Sequence, residues 1–399
     1  MKKIFLSSAI ILFLCSCNII KVVRLMNKGE VNSKEFCEQV PIEFENRMVI
    51  VPVTIDGVIY KFILDTGAPT VLSKEIADKM NLKNISKVAS ADASENKSSM
   101  SFTKVGDIFI DSLKFINQGA AVYDFSLNKE LSCFTFNSIV GANLMKDAIW
   151  QIDIQNKIIR ITNDINKLRI PETAMKFKFR QQITDTPIAD ITINNFEVKN
   201  IVLDYGSGSG IDLVSEKLVK KIHADKIKFV RIFGYNSMGL YGGKNDTTYV
   251  FESDVTLDEN FIGTQKISLR RNGLSTIGTQ ILKNYIVTFD WPESIVYMEK
   301  IATDTTDENK TFGFTALLSD GKFLVTSITE KSSADEKGLS LGDQIISVNN
   351  KDYTNFSSED YCDYIINGMV PKDVNDVEIT FKHNDVLQKV KLERRKLAY

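Results

Sequence analysis

The chain has 399 residues, of which 43% are hydrophobic, with 49 basic residues against 51 acidic and a formal net charge of -2. That length and apolar content suffice for two or three domains with cores of their own. The balanced charge leaves no electrostatic footprint for nucleic acid or for an anionic surface. His223 and His383 are the only histidines, and each sits in a Lys-rich stretch. A Ser-His-Asp triad or a His-rich zinc site therefore has no support, and carboxylates remain as the natural acid–base groups. The five cysteines form no Cys-x-x-Cys pair, so neither a metal ribbon nor a thioredoxin-type site is expected, and no cofactor or metal is implied. A disulfide among Cys37, Cys133 and Cys362 is left open.

In chain order, Lys2 and Lys3 precede a short apolar run from Ile4 to Leu14. That run is too short to span a bilayer and reads as a signal-peptide core. It ends in Leu14-Cys15-Ser16-Cys17, which resembles a bacterial lipobox, with Cys15 where a small residue such as Ala, Ser or Thr is usual. The resemblance implies residues 1–17 as a lipoprotein signal, a lipid on Cys17, and an exported protein anchored facing the periplasm or at the cell surface. Residues 18–39 show no clear period and read as a tether.

From residue 40 to about 302, β-branched and aromatic runs separated by turn residues predict a mainly β region. This region repeats itself. Phe62-Ile63-Leu64-Asp65-Thr66-Gly67-Ala68 parallels Ile201-Val202-Leu203-Asp204-Tyr205-Gly206-Ser207. After each comes a predicted helix with a serine cap, Ser73 before Lys74–Met80 and Ser215 before Glu216–Ile222. Further on, Ile139-Val140-Gly141 parallels Thr276-Ile277-Gly278, and each leads into a strand carrying an aspartate, Asp153 or Asp290. The interval from Gly141 to Asp153 equals that from Gly278 to Asp290, and the Gly67–Gly141 interval nearly equals Gly206–Gly278. Four matched features in one order make the repeat specific, where a lone Asp-Thr-Gly is common.

On these residues the region resembles the pepsin-like and retropepsin-like aspartic proteases. The resemblance implies two lobes, residues 40–170 and 171–302, with a cleft between them. It implies Asp65 and Asp204 as a catalytic dyad, supported by Thr66, Gly67, Gly206 and Ser207, with Gly141 and Gly278 on strands that cross behind the two loops. Tyr205 departs from the pattern, because Thr or Ser normally bonds across to the other loop. Ser207 and Ser209 offer substitute hydroxyls, while Gly206, Gly208 and Gly210 make that loop pliable. Whether Tyr205 lines the cleft or packs between the lobes stays open here. Hairpin flaps are expected between Val88 and Val105, and at Met238-Gly239-Leu240-Tyr241-Gly242-Gly243, with Tyr241 as a substrate contact.

Residues 303–310 read as a polar linker. Beyond it, Asp320-Gly321 marks a hairpin. Ser333-Ala334-Asp335-Glu336-Lys337-Gly338-Leu339 and Gly342-Asp343-Gln344-Ile345-Ile346-Ser347-Val348-Asn349 resemble the PDZ family. The resemblance covers residues 311–399 and implies a helix at Ser358–Ile366 and strands near Val377–Phe381 and Val386–Leu392. It also implies a loop at Phe312, Gly313 and Phe314 that would bind a peptide C-terminus, the peptide adding as an edge strand. Two readings stand at this level. One is an aspartic endopeptidase with PDZ-assisted binding of a peptide or protein substrate. The other is a catalytically inactive, lipid-anchored peptide-binding protein with a degenerate second loop.

Overall fold

Alternating apolar residues and tight turns make strands of most of the chain. Met48–Ile55 and Val58–Asp65 form one hairpin, closed by Asp56 and Gly57 at φ values of 51° and 74°. Such left-handed pairs match the right-handed twist of the flanking strands. The computed structural model describes residues 18–301 and 310–397. The lipobox with Cys17, and nearly all of the linker, lie outside the described residues.

The architecture is mainly β. Residues 30–141 build an eleven-stranded sheet, the first lobe, in which Val58–Asp65 runs parallel to Ser138–Gly141 with Asp65 opposite Gly141. The second lobe repeats this crossing, with Phe196–Leu203 parallel to Thr276–Ile277 and Leu203 opposite Ile277. A six-stranded antiparallel sheet lies between them. In it Ile149–Asp153 pairs with Tyr285–Asp290, one strand from each repeat, and Ile149 stands opposite Asp290. A single hydrophobic cluster runs from Phe36 to Met298 through both lobes and this sheet, so the two repeats share one core.

The two serine-capped helices form at Lys74–Lys79 and Glu216–Ala224. Ser73 accepts from the Ile76 amide, Ser215 accepts from the Leu218 amide, and Ile76, Leu218 and Ile222 are buried. Asp153 and Asp290 are buried and accept the turn amides of Asn156 and Glu293; their part is to cap turns. The segment read as a tether is ordered instead. Residues 18–26 are helical with Val22, Leu25 and Met26 buried, and Cys37–Pro41 is the edge strand of the six-stranded sheet. Its apolar spacing lasts under three turns, too short to register as a period.

The C-terminal domain has a separate core around Phe323, Ile345, Tyr353 and Phe381. Phe314–Ser319 and Lys322–Thr329 form the expected hairpin around Asp320-Gly321, and Ser358–Asn367 forms the expected helix, closed by a Ser357/Asp360 capping box. Asp376–His383 and Val386–Glu393 complete it. Two links join this domain to the lobes, and the second settles the disulfide pairing left open by the sequence. Val230–Gly239 of the second lobe pairs with Lys322–Thr329, merging both into one fourteen-stranded sheet, and a disulfide joins Cys133 to Cys362.

Candidate active site

Both Asp-x-Gly loops emerge from strand ends and turn back over a crossing strand. There is no room for a side chain where they cross. A Cβ on Gly141 would fall 2.1 Å from the Pro69 carbonyl carbon, and one on Gly278 would fall 2.5 Å from the Ser209 oxygen. The next residue closes each loop in the same way, Ala142 N–H to Ala68 O at 2.9 Å and Thr279 N–H to Ser207 O at 2.8 Å.

The loops meet across the lobe boundary. Gly67 N–H donates to Asp65 Oδ1 at 2.9 Å, and Gly206 N–H donates to Asp204 Oδ1 at 2.8 Å. Each glycine lies against the opposite carboxylate. A Cβ on Gly67 would sit 2.7 Å from Asp204 Cγ, and one on Gly206 would sit 2.2 Å from Asp65 Cγ. The structure thus brings Asp65 and Asp204 together, near enough for the charge of Asp204 to act on Asp65.

Burial pushes both carboxyls above the ordinary carboxylate range. Asp65 rises furthest, because the charge of Asp204 adds to its burial. Amides of Gly206, Ser207 and Gly67, together with Asp65, hold Asp204 closer to its charged form. Two like charges in contact do not both ionise cheaply, so the pair keeps one proton and titrates as a unit.

Thr66, fully buried, makes the cross-lobe lock. Its hydroxyl donates to Leu203 O at 2.5 Å and accepts from Tyr205 N–H at 3.0 Å. Tyr205 makes no reciprocal bond. Its ring is fully buried, edge-on to Phe289 at 6.3 Å between centroids. Its hydroxyl has no hydrogen-bond partner among the described residues. Tyr205 therefore points into the shared core and away from the cleft. Ser207 bonds Ser209 through the hydroxyls at 2.7 Å and contributes its amide to Asp204.

The expected flaps are both hairpins, Asn84–Ala91 with Lys97–Lys104 and Val230–Gly239 with Gly242–Leu257. Their tips meet. Tyr241 N–H donates to Asp92 Oδ2 at 2.7 Å, and Asn96 Nδ2 donates to Gly242 O at 3.2 Å. The Tyr241 ring packs on Tyr123 with centroids 5.8 Å apart. A cavity of about 330 Å³ lies between the helix Lys74–Lys79 and the first hairpin, with Tyr241 on its wall; the dyad does not line it.

In the C-terminal domain, Gly313 N–H is taken by Thr311 Oγ1 at 3.0 Å, the ring of Phe312 stacks under Arg394, and Phe314 opens the strand Phe314–Ser319. The Tyr364 hydroxyl donates to Ala316 O on that strand at 2.7 Å. A backbone group that an added peptide strand would seek is thus already occupied. Sequence reasoning missed Tyr364 and Asp92, whose partners are far away in sequence. His223 packs among Phe229 and Tyr249, and His383 pairs with Asp343.

Residues 51–144 match a family model described as aspartyl protease, and residues 302–367 match that of the PDZ domain. No curated protein matches the chain. The first match takes in Asp65-Thr66-Gly67 and Gly141 but ends well before Asp204. The chain thus carries an aspartyl-protease-like domain and a C-terminal PDZ domain, while the second loop enters through its structural repeat.

Proposed function

We propose that the chain is an aspartic endopeptidase. The observation carrying this reading is the contact of the Asp65 and Asp204 carboxyls, each set against the glycine of the opposite loop. With one proton between them, Asp204 takes a proton from a water held by both carboxyls, and that water attacks the peptide carbonyl carbon. Asp65 gives its proton to the carbonyl oxygen. Collapse of the resulting diol sends a proton to the leaving nitrogen and breaks the C–N bond. Thr66 keeps the loops in register for this step.

The test is cleavage of a quenched fluorescent peptide library by the full chain, from about pH 3 to 8. Asp65→Asn and Asp204→Asn are each expected to abolish it. Cleavage surviving both substitutions refutes the dyad. The rival reading, an inactive lipid-anchored peptide-binding protein, draws on the missing reciprocal bond at Tyr205; peptide binding with no cleavage at any pH would favour it. In either case the PDZ domain assists by taking an extended peptide, which must displace the Tyr364 hydroxyl from Ala316. Anchoring through lipid on Cys17, toward the periplasm or the cell surface, belongs to the same proposal and rests on the Leu14–Cys17 motif. Recovery of Cys17→Ala in the membrane fraction at wild-type yield would overturn it.

A further inference from the structure

The reaction leaves the joined hairpin tips and the Cys133–Cys362 disulfide without a part to play. They belong to one closed circuit. The stem of the second hairpin is held by the PDZ domain, with Ile232 opposite Thr329 and Gly234 opposite Ser327. Arg231 clamps Glu330 through two nitrogens at 3.1 and 2.6 Å. The tip of the same hairpin is held by the first lobe. Tyr123 Oη donates to Leu240 O at 2.6 Å, and Asn128 Nδ2 reaches the carbonyls of Gly239 and Leu240, both at 3.3 Å.

Asn128 in turn belongs to a short turn that runs into Cys133. Asn128 Oδ1 accepts Leu131 N–H at 2.9 Å, and Asn128 O accepts Ser132 N–H at 2.9 Å. This turn is fastened back to the PDZ helix Ser358–Asn367 by the disulfide and by Tyr361 Oη donating to Glu130 at 2.7 Å. The PDZ domain thus grips the hairpin stem directly and grips the residue holding its tip through a covalent bond. Leu240 and Tyr241 pack against a cluster that includes Ile63, Val71 and Ile139, which bracket the first Asp-x-Gly loop. With the circuit closed, the tip of the second hairpin is held on the first lobe.

We propose that the Cys133–Cys362 disulfide is a redox latch: while oxidised it holds the second hairpin down on the first lobe, and its reduction by an external dithiol frees the tip and opens the cleft to a peptide. In that step the disulfide takes two electrons and two protons, giving two thiols, and the dithiol leaves as its own cyclic disulfide. The link closes a loop with a sequence separation of 229, so breaking it removes the covalent tie between the turn 128–133 and the PDZ helix. The cleft it guards rests on the protease reading; the latch itself does not.

The experiment uses the full chain, oxidised, reduced with dithiothreitol, and as the double variant Cys133→Ser/Cys362→Ser. A non-reducing peptide map is expected to show the Cys133–Cys362 linkage in the oxidised chain. Breaking it should speed hydrogen exchange of the amides over 239–243 by about tenfold or more, with the strand Tyr285–Asp290 still protected. Absence of the linkage overturns the proposal, as does unchanged exchange over 239–243 once the linkage is broken. Equal loss of protection at Tyr285–Asp290 also overturns it, since the bond would then merely stabilise the fold. Faster peptide cleavage after reduction supports both latch and protease. Faster exchange without cleavage supports the latch and counts against the protease.

Discussion

Replacing Tyr205 by phenylalanine tests how the second loop is held. The ring is fully buried against Phe289, and the hydroxyl finds no partner among the described residues. Burial, with the charge of Asp153 nearby, pushes its ionisation well above the usual phenol range, so the group stays neutral. A neutral buried hydroxyl without a partner is destabilising by ~1–3 kcal/mol. Tyr205→Phe should therefore stabilise the chain by about 1 kcal/mol, a rise in melting temperature of roughly 2 °C for a body of this size. Tyr205→Thr supplies the hydroxyl that the aspartic-protease pattern favours but removes a fully buried ring. Emptying such a site costs ~3–5 kcal/mol, and one new hydrogen bond offsets about 1 kcal/mol of that, leaving a net loss. Thermal denaturation followed by circular dichroism reads both variants, and the peptide-library assay reads their cleavage rates. Cleavage by Tyr205→Phe is expected to stay within about twofold of wild type. A Tyr205→Phe variant less stable than the parent would mean the hydroxyl has a partner, and a cleavage loss of about tenfold would mean it acts at the chemistry. Either result refutes this account of Tyr205.

Thr66→Val removes a donor and an acceptor at once and strands the buried Leu203 carbonyl and Tyr205 amide; a loss of ~2–4 kcal/mol in urea denaturation and a clear fall in cleavage are expected. Gly206→Ala places a methyl group 2.2 Å from Asp65 Cγ, so the carboxyl must rotate out of the dyad and cleavage should fall by at least about a hundredfold, read with circular dichroism as the folding control. Asp65 carries a raised carboxyl pKa, chiefly from burial. An unfolded carboxyl titrates near about 4, so the stability due to this group is fully present below about pH 4 and is lost as pH rises through the folded value. Asp65→Asn is accordingly expected to melt higher than wild type at neutral pH, with the gap closing toward about pH 4; a gap that widens on acidification refutes the raised value.

The architecture was legible because the signals were local and doubled. Asp-x-Gly, the serine-capped helix and the crossing glycine each occur twice, and the close approaches at Gly141 and Gly278 give the physical reason only glycine stands there. Thr66 was legible through the resemblance, which implies a hydroxyl at that position bonding across to the other loop. Tyr205 was not, because one sequence position cannot say which side of a loop its side chain takes. The direction is decided by the space beside Phe289, on a strand more than eighty residues later. The latch was hidden for a related reason. Asn128, Cys133, Leu240 and Cys362 come from segments with no shared period, and only the pairing of Val230–Gly239 with Lys322–Thr329 brings them into one circuit. The helix at residues 18–26 was missed through shortness alone.

The lost reciprocal bond leaves the two loops unequally braced, and Thr279 shows how the difference is met. Thr66 holds the second loop from the first-lobe side through two bonds, yet no side chain of Tyr205 returns the favour. The second loop is braced from behind instead. Thr279, fully buried, directs its hydroxyl at Arg47 O at 2.7 Å and Ser207 O at 3.0 Å. Arg47 lies on a first-lobe turn with φ of 65°, so this single hydroxyl ties the second loop to the opposite lobe. If that bond does the work the reciprocal lock does elsewhere, Thr279→Val should lower stability by about 1–2 kcal/mol and depress kcat, leaving KM nearly unchanged, because the dyad is misaligned while the cleft walls stay put. A variant that raises KM alone would show that Thr279 shapes the cleft and leaves the dyad to Thr66.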